Sequence, residues 1–136
     1  MGRILALDYG KKRTGIAVTD ELQLIASGLT TVSTTELVPF LEDYIEGEQV
    51  DKIVVGEPRQ MNNEPSESEG LIKSFLEKLS KKFPQIPIAR QDERFTSKMA
   101  VAAMIEGGMG KTKRKNKALV DEISATLILQ AYLNRA

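Results

Sequence analysis

The 136-residue chain contains no cysteine, no histidine and no tryptophan. Without cysteine there is no disulfide, no thiolate metal centre and no sulfur nucleophile, a composition compatible with a reducing compartment. Without histidine, the usual general base near neutral pH and the commonest metal ligand are both missing. Any catalysis therefore has to run on carboxylates, lysine, tyrosine, hydroxyls or a bound metal. The four Phe and three Tyr fall mostly at core spacings, which leaves no aromatic platform for stacking single-stranded bases. No apolar run approaches the ~20 residues of a membrane span, and Ile4 to Leu7, closed by Asp8, is too short for a signal-peptide core. A soluble cytoplasmic protein with no membrane partner is expected. Net charge is also absent, with 19 basic and 19 acidic residues.

The charge is nevertheless unevenly placed. Lys111, Lys113, Arg114, Lys115 and Lys117 cluster in one short segment, so the remainder of the chain is acidic. Such a segment is either a solvated loop or a contact for a phosphate-bearing partner. Apolar content of 41% and charged content of 28% suit one globular unit, read as a single domain over residues 1–136.

Pattern orders the elements. Ile4 to Leu7 is a continuous apolar run, as in a strand covered on both faces. A turn through Tyr9 to Arg13 leads to a strand at Gly15 to Val18, and a third strand runs from about Ile25 to Val32. These connections are too short for crossovers, so the three form an antiparallel meander. Ser33 with Glu36 has capping-box spacing ahead of a helix carrying Leu37, Phe40, Leu41, Tyr44 and Ile45, in which Pro39 fits poorly. Ile53 to Val55 is a short buried strand. Ser66 with Glu69 caps a second helix, whose stripe is Leu71, Ile72, Phe75, Leu76 and Leu79. A fifth strand spans Ile86 to Gln91, and Pro87 suggests that it is an edge. Thr96 caps a third helix ending at Gly107-Gly108, and a last helix runs from about Lys117 to Asn134. The order βββαβαβαα implies an α/β fold: a mixed five-stranded sheet with helices on its faces.

Acids stand where these elements stop or start. Asp8 closes the first strand, Asp92-Glu93 the fifth, and Asp121 lies early in the last helix. Sites in open α/β sheets gather at strand ends, and carboxylates suit Mg²⁺ or Mn²⁺. Each acid also has a structural explanation as a turn residue or as a favourable charge at a helix N-terminus. Asp121 differs because it heads the stripe Ala125, Ile128 and Tyr132, which aims it at the sheet, and a buried carboxylate needs a partner or a metal. Glu122 reads as a surface or capping residue.

The motifs Leu7-Asp8-Tyr9-Gly10, Thr14-Gly15-Ile16-Ala17, Val55-Gly56-Glu57-Pro58, Asp92-Glu93-Arg94-Phe95-Thr96 and Val120-Asp121-Glu122-Ile123-Ser124-Ala125 resemble the YqgF (RuvX) family nearly end to end. The resemblance implies a ribonuclease H-like fold related to RuvC Holliday-junction resolvases. It implies a bacterial cytoplasmic nuclease trimming the 5′ end of precursor 16S rRNA, with a resolvase acting on branched DNA as the alternative. The family's acids fall on Asp8, Glu93 and Asp121, which would hold Mg²⁺ or Mn²⁺ for phosphodiester hydrolysis. Glu57 departs from the family's apolar residue and places one more acid at a strand end. Ser124 stands where RuvC-type enzymes carry a further acid.

Lys11, Lys12, Arg13, Arg59, Arg94, Lys113, Arg114 and Lys115 are candidate contacts to the nucleic-acid backbone, which give affinity rather than sequence readout. A ribosomal particle is an expected partner, and oligomeric state is left open. Two other classes remain. A nucleotide-binding ATPase would need a second domain, and Gly107-Gly108-Met109-Gly110-Lys111 lacks Walker spacing. A non-catalytic RNA-binding ribosome-assembly module gains nothing from acids facing phosphate.

Overall fold

The computed structural model describes residues 2–57, 69–92 and 113–135, with residues 113–116 described by their backbone only. Five strands form one sheet: β1 Arg3–Asp8, β2 Arg13–Thr19, β3 Ala26–Ser33, β4 Val50–Glu57 and β5 Ile88–Asp92. Their spatial order is β3-β2-β1-β4-β5. The first three pair antiparallel, while β1 with β4 and β4 with β5 are parallel, so the expected meander and mixed sheet are both present. β5 is an edge strand and Pro87 sits just before it, where its missing N–H costs nothing and its carbonyl still accepts from Ile53 N.

Alternation along β1 and β2 divides the core in two. Leu5, Leu7, Ile16 and Val18 face one side with Ile53 and Val55, and are covered by helices α1 (Leu37–Gly47) and α2 (Glu69–Lys82) through Leu37, Leu41, Ile72, Phe75 and Leu79. Ile4, Ala6, Ala17 and Val54 face the other side and meet Ala125, Ile128 and Leu129 of the long helix α3, Lys113–Asn134. Ala6, Ala17 and Ala125 are small residues on this face, and Gly15 and Gly28 let α3 approach the sheet closely.

Several boundaries differ from the sequence expectation for physical reasons. The Ser33–Glu36 capping box does not form. Ser33 makes no side-chain cap, its hydroxyl meets that of Thr35 instead, and Thr34–Glu36 is a 3₁₀ turn leading into α1. Pro39 is thereby accommodated in the first turn of α1, where backbone N–H groups lack intrahelical acceptors in any case. β4 is longer than the apolar run Ile53 to Val55 because pairing with β1 and β5 carries the backbone through Asp51 and Lys52 at one end and Glu57 at the other. The last helix begins at Lys113 rather than Lys117, since Lys, Arg and Asn there include no helix breaker. The Ser66 cap and the helix expected from Thr96 lie outside the described residues.

Candidate active site

Asp8 is the last residue of β1 and is 4% exposed. Its antiparallel partner is Gly15, and the partner of Gly15 on the next strand is Thr31, so the three positions form one row across β1, β2 and β3. Residues directly opposite share a face. Along β1 that face also carries Ile4 and Ala6, which is the side covered by α3.

Helix α3 is pressed onto this row. A Cβ at Gly15 would collide with the Asp121 carbonyl, so only glycine permits the approach. The Thr31 hydroxyl donates to the Ala118 carbonyl at 2.6 Å and ties the preceding helical turn to β3. Asp121 thus crosses β2 one strand away from Asp8, and adjacent strands lie only about 4.8 Å apart. Two carboxylates, Asp8 and Asp121 (1% exposed), are therefore both buried at one end of the sheet on the face covered by α3. Asp121 is the ninth residue of α3, well past the first turn, so helix-dipole capping does not account for it.

The neighbourhood of Asp121 contains a cation. Arg13, the first residue of β2, places Nε 2.7 Å from Asp121 Oδ2. The turn before Arg13 is held by Thr34. Its hydroxyl donates to the Gly10 carbonyl at 2.6 Å and shares a hydrogen bond with the Thr14 hydroxyl at 2.9 Å, while its N–H donates to the Lys12 carbonyl. Gly10 is required in this turn because a Cβ would strike the Arg13 carbonyl. Lys11 and Lys12 in this turn are exposed, and Arg13 is partly covered. Ser124, also buried, lies one turn after Asp121, and its hydroxyl has no hydrogen-bond partner among the described residues.

The opposite face holds a different set. Tyr9 turns away from Asp8 and stacks on Phe75 with ring centroids 4.5 Å apart, and burial pushes its phenol above the ordinary value of 10.0. It stays protonated and offers no base. Glu57 closes β4 opposite Asp92. Alternation from Val55 assigns Glu57 to the α1–α2 side, the face opposite Asp8. On that same side Arg90 reaches from β5 to Glu69 (Nη2–Oε1 2.9 Å) and donates to the carbonyls of Val55 and Gly56. This ties the start of α2 to the end of β4, so Glu69 serves an ion pair, a role its expected place in a capping box did not suggest.

Glu93, Arg59 and Arg94, and the side chains of Lys113, Arg114 and Lys115, lie outside the described residues. Among the described residues no three acids cluster as a metal site. Sequence reasoning missed the Arg13–Asp121 pair, Thr31 and Thr34. All act across long stretches of chain and leave no local pattern.

Compared with known proteins, residues 2–135 match the family described as RuvX: Holliday junction resolvase. The chain belongs to the RuvX family. Its open mixed sheet with helices on both faces is the ribonuclease H-like architecture of that family. Among RuvX relatives, a protein of Christiangramia forsetii is 65% identical over 133 residues, covering 98% of both chains. One from Flavobacterium psychrophilum is 58% identical, covering 99% of this chain and 98% of its own. Both bear the name "Putative pre-16S rRNA nuclease". A solved structure of Archaeoglobus fulgidus Pelota superposes with a TM-score of 0.45 at 11% identity, over 95% of this chain and 34% of that one. No described helix is long and apolar enough to cross a membrane.

Proposed function

We propose that this chain is a divalent-metal-dependent nuclease that hydrolyses phosphodiesters in precursor 16S rRNA, acting in the cytoplasm and on a ribosomal particle. The observation that carries the reading is the burial of two carboxylates, Asp8 and Asp121, on one face at one end of the sheet, with the Arg13 guanidinium seated on one of them. Ionised carboxylates so deeply buried require positive charge nearby. The donor set is all oxygen, and the arginine occupies Asp121 as a stand-in cation, so the residues present fit a hard divalent ion. Asp8 and Asp121, with Glu93 following β5, are the proposed ligands for Mg²⁺ or Mn²⁺. A bound ion of this kind activates water and offsets the charge of the phosphate under attack.

The chain's own residues supply the rest. Gly15 and Thr31 fix α3 so that Asp121 keeps its place, and the β1–β2 turn presents Lys11 and Lys12 to the strand backbone. Arg59, Arg94, Lys113, Arg114 and Lys115 are proposed as further phosphate contacts, which orient the strand without reading its sequence. Pre-rRNA as substrate is supported by the names of relatives at 58–65% identity along nearly the whole chain. The description of the family favours a second reading, cleavage of branched DNA.

Purified protein incubated with 5′-extended precursor 16S rRNA and with a four-way DNA junction, each in Mn²⁺, Mg²⁺ or chelator, separates the two. Metal-dependent shortening of the RNA alone is expected. Paired symmetric nicks in the junction with intact RNA would replace the first reading by the second.

A further inference from the structure

The ion pair between Arg13 and Asp121 places a permanent charge on the very carboxylate proposed to take a metal. A guanidinium is never deprotonated in proteins, so it cannot make way by losing its charge. A divalent ion bound to Asp121 would face Arg13 as a like charge in a poorly hydrated setting, where such repulsion is costly. The two cations therefore compete for one carboxylate. Only one partner is free to leave: Asp121 is 1% exposed on a helix pinned at Gly15 and Thr31, whereas the Arg13 side chain is 38% exposed at the strand's first residue. Immediately before it stand Lys11 and Lys12, both exposed. A guanidinium displaced from Asp121 would join that basic turn, where its planar fork suits a phosphate.

We propose that Arg13 is an exchangeable counter-ion. It neutralises Asp121 while the metal is absent, yields the carboxylate when the metal binds, and then engages a phosphate of the nucleic-acid strand. This rests on the metal-site reading above and deepens it. It gives a reason why an arginine stands at the site, and it makes metal loading and strand contact one coupled event, because the metal releases the side chain that grips the strand.

The test is Mn²⁺ affinity measured calorimetrically on wild type, Arg13→Gln and Arg13→Lys without nucleic acid, together with the rise in Tm on adding Mn²⁺. Removing the competitor should tighten Mn²⁺ binding in Arg13→Gln roughly tenfold or more, as expected when a charge-assisted bond no longer has to be broken. Its metal-free form should melt earlier than wild type, with a larger gain in Tm when Mn²⁺ is added. Arg13→Lys keeps the charge and should stay close to wild type in Mn²⁺ affinity. At saturating Mn²⁺ the KM of Arg13→Gln for RNA should rise several-fold. Weaker or unchanged Mn²⁺ binding by Arg13→Gln would overturn the exchange and leave the nuclease reading standing, as would Arg13→Lys binding as tightly as Arg13→Gln. An unchanged KM would overturn the transfer to phosphate. Absence of Mn²⁺ binding in wild type and variants alike would overturn both the exchange and the metal site beneath it.

Discussion

A methyl group at position 15 has nowhere to go. It would enter the space of the Asp121 carbonyl, and α3 cannot retreat without breaking the hydrogen bond from Thr31 to Ala118. Gly15→Ala should therefore destabilise the protein by about 3 kcal/mol, the upper range for overpacking a tight contact, and should also lift Asp121 away from Asp8. Urea unfolding with a cleavage assay checks this, and a variant of wild-type stability would show that the helix does not rest on this glycine. At this scale the sequence was partly readable. Asp8 and Asp121 stand out because a carboxylate ends an apolar strand or heads an apolar stripe. The partner of Asp121 does not stand out, because Arg13 is 108 positions away and sits in a run of cations that looks like an ordinary turn. Position alone likewise could not assign Glu57 to the other face of the sheet; that needed the register of β4 against its neighbours.

At the scale of elements, the β2–β3 connection is organised by one carboxylate. Asp20 accepts from the N–H groups of Leu24 and Ile25 at 2.8 Å and from that of Leu22 at 3.2 Å, while Gln23 takes a left-handed φ of 60°. The bonds from Ile25 and Leu24 hold the Asp20 carboxyl below its ordinary value of 3.8. A folded value lower than the unfolded one stabilises the protein above the unfolded pKa, and the contribution fades as pH falls through the folded value. Asp20→Ala should lower Tm at pH 7, with the gap to wild type narrowing below about pH 4. A gap that stays constant from pH 7 down to pH 2 would contradict this account. The strands themselves were legible as short apolar runs and the meander from short connections, because both follow from which residues must be covered. Helix starts were less legible. Ser33 and Glu36 have the spacing of a capping box, yet hydrogen bonding of the neighbouring Thr34 across to the β1–β2 turn pulls the chain into a 3₁₀ turn first. A local motif lost to a tertiary contact that no local window contains.

For the whole molecule, the two faces of the sheet divide the labour. The α1–α2 face carries the larger apolar side chains, the Tyr9–Phe75 stack and the Glu69–Arg90 pair, and so holds the fold together. On the α3 face, Gly15 and Gly28 on β2 and β3 let the helix approach closely, and that approach brings Asp121 over the row that begins at Asp8. An acidic site with exposed lysines on the adjoining turn is a coherent arrangement for a strand of phosphates: the lysines draw it in, and a bound cation offsets the repulsion by the acids. The central claim is that Asp8 and Asp121 act as one metal site that cuts nucleic acid. It is tested most directly by titrating Mn²⁺ into a precursor 16S rRNA cleavage assay with wild type and Asp8→Asn, whose fold is verified by circular dichroism. The account predicts cleavage that rises with Mn²⁺ in wild type and is lost in a folded Asp8→Asn protein at every concentration. A folded Asp8→Asn protein that cuts at the wild-type rate would contradict it.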